Sequence, residues 1–109
     1  MRYMLFRNVS DDRYFGYEPG AAVWSEGIAY TVDATPEQAL DAVFHRHNMP
    51  NRPDGQVAPS LSVGDVIFDV DESGWQWFAV ADIGFMPIDP PSNVVEAAGW
   101  REARNMVSV

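Results

Sequence analysis

The chain has no cysteine and no lysine, and between residues 53 and 100 it has no arginine or histidine either. Without cysteine there is no disulfide and no thiolate metal site, and a reducing compartment suits the chain. No stretch approaches the roughly 20 apolar residues that a membrane helix needs. The opening MRYMLFRNV lacks both a long apolar run and a small-residue cleavage site, so a cytoplasmic protein with no membrane partner is expected. Glycine-rich phosphate loops are missing, and Ser62-Val63-Gly64-Asp65 does not replace one. There is no internal repeat and no low-complexity segment.

What is present fits one domain spanning residues 1–109. Apolar residues make up 47% of the chain and charged residues 21%, a globular balance. A chain of this length buries about two thirds of its unfolded surface, enough for a single core without staples. Sixteen acids face seven arginines, for a net charge of -9. The excess is concentrated, because residues 53–100 hold eight of the acids. Such a field repels phosphate backbones and attracts basic partners, so direct nucleic-acid binding is not expected.

Local patterns predict an α+β fold: a small, mostly antiparallel β-sheet packed by a helix at about residues 36–47, with a C-terminal helix. Tyr3-Met4-Leu5-Phe6 and Ile28-Ala29-Tyr30-Thr31-Val32 read as the first two strands. Thr35 is placed to cap the helix, with Pro36 at its first position and Gln38 completing a capping box. Ala39, Leu40, Val43, Phe44 and His47 then share one helical face, and Asn48 and Pro50 stop it. Residues 50–59 are a proline-rich connection. Val66 to Val70 and Trp75 to Asp82 form a hairpin around Asp71-Glu72-Ser73-Gly74, and Ile83 to Pro87 gives a third strand bent at Gly84. A terminal helix runs from Ser92 or Asn93 to about Met106, weakened by Gly99.

Several constellations raise chemical questions. Asp69-Val70-Asp71-Glu72-Ser73-Gly74 matches the first half of a calcium loop, but position twelve is Val80 and the flanks read as strands, so no metal and no cofactor is expected. His45 and His47, two apart on a helix, diverge and make a poor metal pair. Asp41 and His45 lie within reach of each other, as an ordinary surface pair. Ser60 and Ser62 carry no spacing that marks a nucleophile, so no enzyme is expected. Asp65, Asp69 and Asp71 share parity and would lie on one strand face. That face is either a solvated edge, where charge deters strand-to-strand aggregation, or a surface for a basic partner. Trp75 and Trp77 share a face as well, as core or as an aromatic patch rimmed by carboxylates.

The order of residues in the middle of the chain adds a resemblance. Phe44 closes a helix and is followed by Asn48, then Pro53-Asp54-Gly55, then Ser60-Leu61-Ser62-Val63-Gly64-Asp65-Val66, and later Asp82-Ile83-Gly84-Phe85. Residues 37–88 in this order resemble the YodL-like domain, a small domain of bacteria and phages. Gly64 stands where that pattern has serine, and Val80-Ala81-Asp82 where it has Val-Asp-Ser. The resemblance implies an accessory protein of a phage or mobile element and carries no catalytic residues.

The functional expectation is a small acidic binding protein that engages a host protein with a basic surface. The candidate contact residues are Asp65, Asp69, Asp71, Glu72, Trp75, Trp77 and Asp82. A second class of reading is a DNA mimic that inhibits a nuclease, restriction or CRISPR system. A small enzyme or metal-binding domain is the third.

Overall fold

A computed structural model describes residues 1–71 and 76–107. The strands are β1 (Arg2–Asn8), β2 (Ala22–Trp24), β3 (Tyr30–Thr31), β4 (Val66–Asp69), β5 (Gln76–Val80), β6 (Phe85–Ile88) and β7 (Asn93–Val94). The helices are α1 (Ala39–Arg46) and α2 (Trp100–Val107), and a single 3-10 turn covers Arg13–Phe15. The strands form one sheet in the order β6-β5-β4-β1-β2-β7, with β3 also paired to β1. Every pairing is antiparallel except β2 with β7. The α+β class and the mostly antiparallel sheet agree with the sequence pattern.

β1 is central because it buries both of its faces. Its register sets Leu5 against Ile67 and Phe6 against Val66 on one edge. Its other edge is shared: Arg7 and Asn8 pair with Trp24 and Val23, while Arg2 and Tyr3 pair with Thr31 and Tyr30. Residues 25–29 loop out between these pairings, with Gly27 at a φ of +76°. Alternation then sorts the side chains. Tyr3, Leu5 and Ile67 pack with Val43 of α1. Val9, Ala22 and Trp24 pack with Ala103 of α2. Both helices therefore cover the same face of the sheet. Phe6, Val23 and Val66 lie on the opposite face with Met4, Tyr17, Phe68, Trp77 and Ile88.

Three local expectations are corrected. Helix α1 starts at Ala39, not Pro36, and neither Thr35 nor Gln38 makes a side-chain cap. The Thr35 carbonyl instead accepts the Gln38 N–H at 3.0 Å, closing a turn, and the first helical bond runs from Ala42 N–H to the Gln38 carbonyl. The stop is where the sequence puts it, with Asn48 Nδ2 donating to the Phe44 carbonyl at 2.7 Å.

The second correction is β2, a strand that the sequence reading does not assign. It is only Ala22-Val23-Trp24, too short to show a period, and it forms because β1 offers it an open edge. The third concerns the chain end. Asn93 does not cap a long helix; Asn93–Val94 pairs in parallel with Ala22–Val23, and Val95 N–H donates to the Val23 carbonyl. The β-branched pair Val94-Val95 extends the sheet, and α2 begins only after Gly99. Glu102 reaches back to accept the Ala98 N–H, which closes the start of that helix.

Candidate functional site

The layer between the sheet and the two helices contains a chain of buried polar side chains. Tyr3 and Arg7 come from the helix-covered face of β1, His47 from the residue that ends α1, and Asp54 from the proline-rich connection. Asp65 stands immediately before β4. All five are buried. Tyr3 Oη lies 2.7 Å from His47 Nε2, and His47 Nδ1 lies 2.8 Å from Asp54 Oδ1. The bonding is complete when the tyrosine hydroxyl donates to Nε2 and Nδ1–H donates to Asp54. Arg7 donates to Asp54 and, at 3.4 Å, to Asp65. Asp65 also accepts the backbone N–H groups of Asn8 at 2.8 Å and Ser62 at 2.9 Å.

Local sequence explains the position of Asp65. Gly64 adopts a φ of +93°, and a Cβ there would sit 2.8 Å from the Arg13 carbonyl oxygen. Only glycine tolerates both the backbone and the contact. The turn returns the Asp65 carboxylate to the Ser62 N–H, while Gly64 N–H and the Asp65 carbonyl pair with Val80.

The two carboxyls respond differently to the same guanidinium. Burial raises Asp54, but the His47 hydrogen bond and the Arg7 charge together outweigh it and leave its pKa lowered. For Asp65 burial prevails over Arg7 and the two backbone donors, and its pKa is raised. Burial also raises the Tyr3 hydroxyl, against the opposing pull of Arg46. Tyr3, His47 and Asp54 are sealed from solvent, and their chain of bonds ties α1, the 50–59 connection and the sheet together.

The expected acidic face does not form as a unit. Asp65 is 7% exposed and paired inside the protein, so it is not a surface acid. Asp69 is half-buried opposite Tyr3 and Gln76 and accepts the Asp71 N–H at 3.2 Å. Asp71 is exposed and accepts the Arg2 N–H at 3.1 Å. Asp82 is exposed in the turn before β6. Glu72 and Trp75, and most of the expected hairpin turn, lie outside the described residues. Trp77 pairs with Phe68, so it stands on the face opposite Asp69. One residue of parity separates the acids from the aromatic group that the sequence placed beside them.

Trp77 belongs instead to an aromatic cluster on the face without helices. Its ring stacks on Phe68 with centroids 4.0 Å apart and 12° between planes, and Phe6 lies 5.0 Å away. Met86 is exposed on the same face, and Ile88 is half-buried beside Trp77. A hollow of about 610 Å³ opens where this face meets Tyr17, Met86, Ile88 and Asp89. Burial first, and the Asp89 charge second, push the Tyr17 hydroxyl up. Among the described residues no group of three or more His, Asp or Glu side chains is arranged to hold a metal.

Sequence reasoning missed Arg7 and Asp54 as partners and treated His47 only as a helix-face residue. A titratable ring on an apolar helical face was the one available signal, since such a group demands a buried partner.

Fold and site together define a two-layer α+β domain with one helix-covered sheet face, sealed by a polar chain, and one open aromatic face. Among the described residues no helix is long and apolar enough to cross a membrane. Comparison of the chain with protein-family models, characterised proteins and solved structures finds no match.

Proposed function

We propose that the protein is a binding module that docks a protein partner on its open sheet face, centred on Trp77, Met86 and Ile88. The observation that supports this is the Phe6–Trp77–Phe68 cluster, which no helix covers among the described residues. Aromatic and methionine side chains supply large contact area at interface centres. The partner would present an apolar group flanked by basic residues. Asp89 borders the hollow, Asp82 lies exposed in the turn before β6, and the net charge of -9 favours approach of a cation-rich surface. In the phage or mobile-element setting implied by the resemblance of residues 37–88, that partner is a host protein.

Mimicry of a phosphate backbone draws less support. Asp54 and Asp65 are buried against Arg7, which removes two of the eight carboxylates in residues 53–100 from the surface.

The test is a photo-crosslinking side chain at position 86, compared with one at position 45 on the exposed side of α1. The probe at 86 is expected to trap a partner that the probe at 45 does not. Met86→Arg and Asp89→Asn should each weaken binding of that partner, and raised salt should slow its association. Equal trapping at both positions, or unchanged affinity in Met86→Arg, would overturn the reading.

A further inference from the structure

Two exposed apolar tips stand close to the hollow of the open face. Phe15 is 90% exposed and Ile83 is 96% exposed. Ile83 sits in the tight turn between β5 and β6, closed by the Ala81 N–H on the Gly84 carbonyl at 3.0 Å. Phe15 ends the 3-10 turn, held by its own N–H on the Asp12 carbonyl and by the Gly16 N–H on the Arg13 carbonyl. Both turns close the same end of the sheet. The Arg13 and Gly16 backbones pack on Gly64, the Gly64 N–H donates to the Val80 carbonyl, and Val80 leads into the turn of Ile83.

The hollow of about 610 Å³ begins beside these tips. Tyr17, two residues after Phe15, and Met86, three after Ile83, stand in its walls with Pro87 and Ile88. The Phe15 ring lies in water rather than in this hollow. A single apolar side chain in water is ordinary, but a rigid aromatic tip and an apolar recess on one side of a molecule make a self-complementary surface.

Charge fits the same pairing. Among the described residues neither Arg13 nor Asp89 has an opposite charge within ion-pair distance. Arg13 belongs to the tip, with its guanidinium 4.3 Å from the centre of the Tyr14 ring. Asp89 borders the hollow. The chain thus carries an apolar group beside a basic one, the chemistry that its own open face is proposed to receive.

We propose that a second copy of this chain occupies the hollow, with Phe15 of each protomer seated against Tyr17, Met86 and Ile88 of the other and Arg13 facing Asp89 across the contact. A two-fold axis makes both contacts at once. This rests on the open face being a docking surface, and adds that self-pairing masks that face. Each copy carries a net charge of -9, and Asp12 and Glu18 flank the tip, so the copies approach against repulsion. Added salt screens that repulsion and favours the pair, whereas it slows a basic partner.

Sedimentation equilibrium on the full chain, from micromolar to millimolar protein, tests the proposal. A monomer–dimer equilibrium is expected, shifted toward dimer as sodium chloride rises. Phe15→Ser and Met86→Arg should each weaken it by at least about tenfold, as loss of a central interface contact does. Both side chains are exposed, so the melting temperature of dilute protein should stay at the wild-type value. A mixture of the two variants should pair better than either alone, because one intact tip then meets one intact hollow. A chain that stays monomeric throughout would overturn the proposal. So would wild-type pairing in Phe15→Ser, or no gain in the mixture. Trapping of a foreign partner at position 86 by a monomeric chain would overturn the self-pairing and leave the docking face standing. Dimers that dissociate in both variants, with no foreign partner trapped, would support the self-pairing and remove the foreign partner.

Discussion

The two faces of the sheet solve opposite problems with the same alternating strands. The helix-covered face buries Tyr3, Arg7, His47, Asp54 and Asp65 and satisfies them with one another. The face that no helix covers among the described residues holds aromatic and aliphatic side chains, of which Phe6, Val23 and Val66 are buried and Phe68, Trp77 and Ile88 remain partly in water. Charge is hidden where helices close over it, and part of the apolar surface lies on the face that no helix covers among the described residues. Loss of buried charge pairing is therefore a risk on the first face alone, and the proposed docking concerns the second.

The sharpest way to break this contrast is Arg7→Met. It leaves Asp54 and Asp65 buried without their cation, which costs about 3–5 kcal/mol by the usual penalty for an orphaned buried charge. Chemical denaturation measures it, and a loss under 1 kcal/mol would remove the polar chain from its structural role. Gly64→Ala comes next. Forcing a side chain into the left-handed region costs about 1–3 kcal/mol, before counting the clash with the Arg13 carbonyl.

Acid sharpens the comparison within the buried face. A carboxyl whose folded pKa lies below its unfolded value of about 3.9 contributes stability that is complete above that pH and drains away below it. Asp54 is such a group, so the melting-temperature gap between wild type and Asp54→Asn should narrow as pH falls below 4. Asp65 has the opposite sign. Its raised pKa contributes stability at low pH that is lost as pH rises through the folded value, so its gap to Asp65→Asn should narrow in that direction. Parallel trends in the two variants would contradict the assignment.

The smallest effects belong outside the buried chain. Met86→Glu, on the open face, should change stability by no more than about 0.5 kcal/mol, as an exposed substitution does. Thr35→Ala should be equally mild, because the Thr35 hydroxyl caps nothing and its carbonyl survives the change. A loss near 1 kcal/mol in Thr35→Ala would restore the side-chain cap that the sequence suggests.

Local order by itself determined a good deal of this protein. The period of residues 39–47 specified α1 and its buried face, a short apolar run marked β1, alternation marked β4, and the hairpin pattern marked β5 as its return strand. Gly84 marked the bend into β6, where it takes a φ of +76°. These features follow from backbone geometry and hydrophobic period, which act within a few residues. Tertiary structure alone decided the rest. β2 and β7 exist because β1 and β2 offer edges to pair with, not because three or two residues favour extension. Asp65, which strand parity put with Asp69 and Asp71 in water, was drawn inside by Arg7 from 58 residues away. Trp77 fell on the opposite face from Asp69, so acid and aromatic surfaces separated. Pairing partners, burial and charge neutralisation are set by contacts between distant segments, and no local pattern carries them.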